Sequence, residues 1–523
     1  MPYLEELLKE AKEKKARAPS AEEAQAPVRV QPAAQQRAGE EKKILVDSYG
    51  DVRVYKQVGE PLLLYEIPTP HYRGGEKQLI TALIDIAIGV IPPETMLGFT
   101  PEEARKKYLQ RVLEIIDSTP ELNVPTHLKQ FYAEAVVREM VGYGMIDPLV
   151  QDDRLEEIMI VGQNKPVYVF HRKYDMMKTN VLFYEEKDIV DLIDRIARTI
   201  GRRIDVQSPL MDARLKDGTR VNATLPPATI DGPTLTLRKF RHDPLSVVDL
   251  INFKTMNYEI ASFLWMAVDG LGALPANILI AGGTASGKTS TLNVLCSFVP
   301  NSERILTIEE TAELNLPLEH WIRCEARPPS PEGTGEIDMN TLLKNALRMR
   351  PDRVIVGEIR GAEGYTLFSA MNIGHRGAMG TVHANSAQET LIRLSNPPIS
   401  VPDVMLAPLN FVLMQNRIHD RRLGTIRRVT ELAEVTGLEN GKPAVQILYS
   451  WDPVKDDFFA TGVKSVFWHN LKKYTGLNEE DLEKERVERE KILRDLNARG
   501  VTAQVDVCET TQNYVTKKRL SGA

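Results

Sequence analysis

The run "GGTASGKTS", Gly282 to Ser290, follows the apolar stretch "NILI" and carries the spacing G-x4-G-K-T. Each residue type has a physical task in such a loop. Gly282, Gly283 and Gly287 let the backbone turn its N–H groups inward, with Thr284, Ala285 and Ser286 between them. The amides then form an anion cradle at the start of a helix. Lys288 brings an ammonium to the β and γ phosphates of a nucleotide, and Thr289, with Ser290 behind it, offers a hydroxyl to Mg2+. The preceding strand and following helix supply the context this pattern needs. The segment predicts binding of a nucleoside triphosphate.

A phosphate loop alone leaves the chemistry open, so acids and bases elsewhere matter. "RVIVGEIRG" reads as an apolar strand ending in Glu358. It is expected beside the strand of the phosphate loop, bringing a carboxylate to the metal, directly or through water. "RILTIEETAEL" ends in a second pair of acids, Glu309 and Glu310. "GHRGAMGTVHANS" places His375 and His383 around a glycine-rich strand expected next to the acidic one, where an imidazole can sense a γ-phosphate. No cysteine pair and no HExxH helix accompanies them, which speaks against zinc. Arg214 and Arg220 stand on either side of a turn in "SPLMDARLKDGTRVNA", and Arg238 and Arg241 follow in "TLTLRKFR". They read either as a solvated hairpin or as a source of arginine fingers.

These residues need a scaffold. After Arg238 strands and helices alternate, the pattern of a parallel sheet covered on both faces. Before it come short strands from Lys43, helices over about 101–118 and 126–141, and the paired strands "EEIMIVG" and "VYVFH". A further helix follows, and then the Asp217-Gly218 hairpin. Residues 3–17 carry an amphipathic helical pattern, and the Ala, Pro, Gln and Glu stretch after them reads as a linker. The C-terminal stretch "DLEKERVEREKILRDLNARG" reads as a strongly charged helix followed by a frayed end.

Composition sets limits. The 523 residues are 42% apolar and 26% charged, with a net charge of -6 and three scattered cysteines. That balance disfavours a surface built to coat nucleic acid. The longest apolar stretch, "LITALIDIAIGVIPP", is too short to span a bilayer. A cytoplasmic protein, at most peripheral to a membrane, is expected.

Taken together, "GGTASGKTSTLN", "RILTIEETAELNLP", "LRMRPDRVIVGEIRGAE" and "GHRGAMGTVHANS" resemble the Walker A, Asp box, Walker B and His box of the type II/type IV secretion ATPase superfamily. The likeness covers about residues 125–440, and "TASGKTSTLN", "TIEETAEL" and "TIRRVTELAEV" look closest to archaeal members, the archaellum motor and pilus-assembly ATPases. It implies an α/β fold with a RecA-like P-loop ATPase domain at 245–450. An α+β domain at 123–244 would flank the nucleotide. A small α+β subdomain at 43–122, a flexible arm at 1–42 and a helical extension at 451–523 complete the organisation. It further implies a homo-hexamer that hydrolyses Mg-ATP against a polytopic membrane platform. Lys288, Thr289 and Ser290 match its Walker A ligands, Glu358 its Walker B carboxylate, Glu309 its Asp-box glutamate, and His375 and His383 its His box. Arg214 and Arg220 match arginines that approach nucleotide from the N-terminal domain. Glu310 stands where the family commonly has Asp. Zinc is not implied, because the cysteine insert of some bacterial relatives is missing. The alternatives are a conjugation-type motor, which shares these motifs, and a nucleotide-gated scaffold with little turnover.

Overall fold

The computed structural model describes residues 43–68, 74–91, 101–215, 217–240, 243–329, 334–420 and 424–521. The chain divides into two compact units between Phe240 and Arg241, four residues before the boundary expected at 244. The arm at 1–42, with its expected helix, lies outside the described residues.

The first unit is a nine-stranded sheet with helices. Its strands are β1 Lys43–Tyr49, β2 Val52–Gln57, β3 Leu63–Glu66, β4 Leu155–Val161, β5 Pro166–His171, β6 Asp175–Leu182, β7 Leu210–Arg214, β8 Arg220–Thr224 and β9 Thr234–Arg238. They run in the order β1-β2-β3-β6-β5-β4-β9-β8-β7. All neighbours are antiparallel except β3 and β6. Alternating side chains such as Ile158, Ile160, Val167 and Val169 are buried, as a sheet with one covered face requires. The strands near 43–66 and those after 155 thus share one sheet, so no sheet boundary falls at 122. Helices α1 Gly74–Val90, α2 Pro101–Ser118 and α3 Lys129–Val141 form a separate apolar cluster around Leu83, Val112 and Val136. The β7–β8 hairpin closes through Gly218 at φ +92°, where a Cβ would meet the Phe240 ring at 2.7 Å. Its register sets Arg214 opposite Arg220, and Arg220 opposite Arg238, so three guanidinium-bearing positions cross the sheet in one row.

The second unit holds a second nine-stranded sheet, ordered β12-β11-β13-β14-β10-β15-β16-β17-β18. Its parallel strands are β10 Ile278–Ala281, β11 Ile305–Glu309, β12 Trp321–Glu325, β13 Arg353–Val356, β14 Met379–Val382 and β15 Phe411–Asp420. Antiparallel β16 Gly424–Glu439, β17 Lys442–Asp452 and β18 Asp457–Ala460 extend it. Every residue of β10, β13 and β14 is buried. Along β10, Ile278 and Ile280 join one apolar cluster while Leu279 and Ala281 join another. Both faces are therefore covered, as a parallel sheet demands.

Two expectations need correction here. The strand ending near Glu358 is not beside the strand of the phosphate loop, because β14 lies between β13 and β10. The charged C-terminal stretch is a helix as expected, but the residues after it are not frayed. Its helix, Glu479–Ala498, stands between Val466–Thr475 and Gln504–Ser521, and the three add Leu471, Leu482, Leu493, Leu496 and Val515 to the core. Charge hid a narrow apolar stripe, and even Arg489 is buried, held by Asp269 at 2.7 Å and Glu485 at 3.0 Å.

Candidate nucleotide site

Parallel strands deliver their carboxyl ends to one edge, the usual place for a ligand in an open α/β sheet. Here β10 ends at the phosphate loop, β11 at Glu309, β13 just before Glu358 and β14 just before His383. The loop enters the helix Lys288–Cys296 through Gly287 at φ +92°. Thr284 and Ala285 are exposed on its crest, while Ser286 and Lys288 are buried. The Lys288 ammonium donates to the carbonyls of Gly282 at 3.0 Å and Gly283 at 2.8 Å. Burial pulls its pKa down, and the Glu358 carboxylate counteracts this.

Glu358 is the electrostatic centre. Arg360 grips it with a fork, Nε to Oε1 at 2.8 Å and Nη2 to Oε2 at 2.9 Å. His383 Nε2 lies 3.2 Å from Oε1. Burial raises the carboxyl pKa, but Arg360, His383 and Lys288 outweigh it and hold Glu358 below the usual carboxylate value. Burial, then the Lys288 ammonium, pull the His383 pKa below its ordinary value, and the Glu358 carboxylate counteracts this. The turn that presents Glu358 is fixed by Glu363, which accepts from the amides of Arg360 at 2.6 Å and Gly361 at 2.7 Å.

The two Asp-box acids take opposite roles. Glu310 is exposed and accepts from Arg360 Nη1 at 2.5 Å, which ties it to the Glu358 cluster. Glu309, expected as the catalytic acid, is only 2% exposed. Its Oε1 accepts from the amides of Glu313 at 2.9 Å and Leu314 at 3.0 Å, and its Oε2 has no hydrogen-bond partner. The reason is position: Glu309 is the last residue of β11, a strand buried along its whole length, whereas Glu310 lies past the strand end. His375 and His383 flank β14 as expected, the first before it and the second after it, so the two stand at opposite ends of the strand. Arg214 and Arg220 belong to the first unit and lie together on its hairpin.

Burial pushes the Glu309 carboxyl up to about 7. A folded-state pKa raised above the unfolded value of 4.5 adds stability below that value and loses it as pH rises through 7. Glu309→Gln keeps an oxygen for both amides without the charge. Its melting temperature should therefore gain on wild type as pH rises from 5 to 8, by at most about 3 kcal/mol of stability. Parallel melting curves over this range would show that folding does not raise the Glu309 pKa.

Oxygen donors of the kind Mg2+ takes are present: the half-buried Thr289 hydroxyl at the first turn after the loop, and Glu358 at the same edge. The buried Ser286 Oγ, with no hydrogen-bond partner, is a further polar atom inside the loop. The donor set fits a hydrated magnesium ion. Sequence reading missed Arg360 and, in the loop's support, Gln415 and Arg427. The arginine stands two residues after Glu358, and its spacing was the one available signal.

The family model for type II/IV secretion system proteins matches residues 139–432. An uncharacterized protein of Methanocaldococcus jannaschii is 31% identical, with 71% of this chain and 75% of that protein covered. The conjugal transfer protein TrbB of Rhizobium radiobacter is 30% identical over 48% of this chain and 75% of its own length. The type IV secretion system protein VirB11 of Bartonella quintana is 29% identical, over 46% and 76%. Among solved structures, the ATPase DotB of Yersinia pseudotuberculosis aligns with 15% identity and a TM-score of 0.42, covering 72% of this chain and 93% of that one. The span of the family match, from the third helix through the phosphate loop to β16, and the archaeal relative matched over 71% of the chain lead to one conclusion: this chain belongs to the type II/IV secretion system protein family.

Proposed function

We propose that the protein is an ATP-hydrolysing motor of a type IV filament or secretion machine. The observation that carries this reading is the meeting, at one sheet edge, of a phosphate loop bearing buried Lys288 with Glu358 held charged by Arg360 and His383. A charged carboxylate beside a phosphate cradle is the equipment for activating water against a phosphoryl group. The loop amides and Lys288 would hold the β and γ phosphates, and Thr289 and Glu358 would hold Mg2+, which when bound neutralises charge on the phosphate oxygens. Glu358 would orient the attacking water, with His383 Nε2 3.2 Å from its Oε1. Arg214 and Arg220 would add the second cation that phosphoryl transfer commonly requires.

The motor reading extends to a homo-hexamer working on a polytopic membrane platform from the cytoplasmic face, and to an archaellum or pilus as the filament. Membership of the family and the archaeal relative support it, and among the described residues no helix is long and apolar enough to cross a membrane. A conjugation-type role is the second reading, favoured by the likeness to TrbB. The test is hydrolysis by the full chain. Mg-dependent ATP turnover is expected, rising more than linearly with protein concentration until a ring forms, and not raised by DNA. Turnover absent at every concentration would overturn the motor, and strong stimulation by DNA would favour the second reading.

A further inference from the structure

The phosphate loop is held in shape from outside itself, and the residue that does this is 129 positions away in the sequence. Gln415 lies on β15, which pairs in parallel with β10 and sets Ala281 beside Met414. The next residues on the two strands, Gly282 and Gln415, therefore adjoin at the mouth of the loop. Gln415 is 1% exposed. Its Nε2 donates to the carbonyl of Ser286 at 2.8 Å, and its Oε1 accepts from the Thr291 hydroxyl at 2.6 Å. Thr291 is fully buried in the first turn of the helix that follows the loop. One amide thus joins the loop's inner limb to the helix that must receive its charge. Arg427, on β16, adds a second tie by donating from Nε to the carbonyl of Ala285 at 3.0 Å.

The glycines of the motif answer to the same contacts. A Cβ on Gly282 would meet the Gln415 carbonyl oxygen at 2.0 Å, and one on Gly287 would meet Gln415 Nε2 at 2.9 Å and Arg427 Cδ at 3.4 Å. The Gln415 backbone leaves no room for a side chain at Gly282, while at Gly287 the φ of +92° adds its own demand for glycine. Ala285, at φ +57°, is a non-glycine residue in the left-handed region at the crest, and its carbonyl is the one Arg427 holds. Such a conformation persists where surrounding contacts over-determine it.

We propose that Gln415 is a positioning residue for nucleotide binding, which preforms the phosphate cradle by pinning Ser286 and Thr291, with Arg427 as its weaker partner at the crest. The assignment rests on the nucleotide-binding reading above and deepens it. A preformed loop presents its amides without reorganising, so the contribution falls on binding of any nucleotide carrying the phosphates the loop wraps. ADP and ATP should be affected alike. The hydrolytic carboxylate cluster is not tied to Gln415 by any hydrogen bond, so the chemical step should be spared.

The experiment uses the full chain with Gln415→Met, Thr291→Val and Thr291→Ser. It reads equilibrium binding of fluorescent ADP and of a fluorescent non-hydrolysable ATP analogue, together with KM and kcat for ATP. Gln415→Met is expected to weaken both nucleotides about tenfold or more, with KM rising and kcat at saturation within about threefold. Thr291→Val, the same shape without the hydroxyl, should give a smaller loss in the same direction, and Thr291→Ser should bind as wild type does. Gln415→Met binding both nucleotides like wild type overturns the proposal, as does a fall in kcat with KM unchanged, which marks loss of folded protein only. Should Gln415→Met not fold, the Thr291 pair decides: equal binding by Val and Ser overturns it. Failure of wild type itself to bind either nucleotide would refute the nucleotide reading, an outcome distinct from wild type binding that the variants leave unchanged.

Discussion

Glu358→Gln is expected to lower Mg-ATP turnover about a hundredfold or more while nucleotide affinity stays within a few fold. Glutamine keeps the shape of the side chain and removes its charge. The Arg360 fork needs an acceptor at each oxygen, and His383 Nε2 stands 3.2 Å from Oε1. An amide supplies only one acceptor atom, so the cluster loses both the carboxylate that orders water and half of its own internal pairing. The phosphate cradle is built from different residues and should survive. Binding of a fluorescent nucleotide alongside single-turnover hydrolysis separates the two effects. Binding and turnover falling together would assign Glu358 a structural part. Arg360→Ala should fall in the same direction by less, because the carboxylate remains but its orientation is lost.

What the sequence revealed and what it hid follow from the range of the interactions involved. The phosphate loop, the strand before it and the helix after it are contiguous in the chain, and the motif was legible because its glycines, lysine and threonine fall within eight positions, Gly282 to Thr289, whatever holds them from outside. Strand order was not. That β14 separates β13 from β10 depends on its pairing with β10 through Ile278 and Met379, about 100 residues apart, as well as with nearby β13, and periodicity cannot report such pairing. Glu309 and Glu310 are neighbours of the same type at a strand end, and which one turns inward is a matter of register by a single residue. Family resemblance pointed to Glu309, whereas burial sets it among the amides of Glu313 and Leu314. Gln415 carries no motif of its own, and its part is visible only once β15 lies against β10. The helix from Glu479 to Ala498 misled for another reason. Its few leucines sit among many charges, and some of those charges, Arg489 above all, are themselves interior.

Lys288→Ala is expected to abolish turnover, by at least about a hundredfold, since it removes the ammonium at the head of the cradle from a site where burial has already stripped it of water. The same variant can report on the arginines of the other unit. Arg214 and Arg220 face each other across the β7–β8 hairpin, in a compact unit separate from the one that holds Lys288. If they complete the site of a neighbouring subunit, an Arg214→Ala, Arg220→Ala chain and a Lys288→Ala chain are each inactive alone but complementary. Random mixing would leave about a quarter of head-to-tail interfaces with intact arginines on one side and intact lysine on the other. Those interfaces should hydrolyse ATP, so activity should return on mixing. Arginines acting within their own chain predict the opposite, because every chain in the mixture lacks one of the two cations. Mixed rings that form and stay inactive would therefore rule out the shared site.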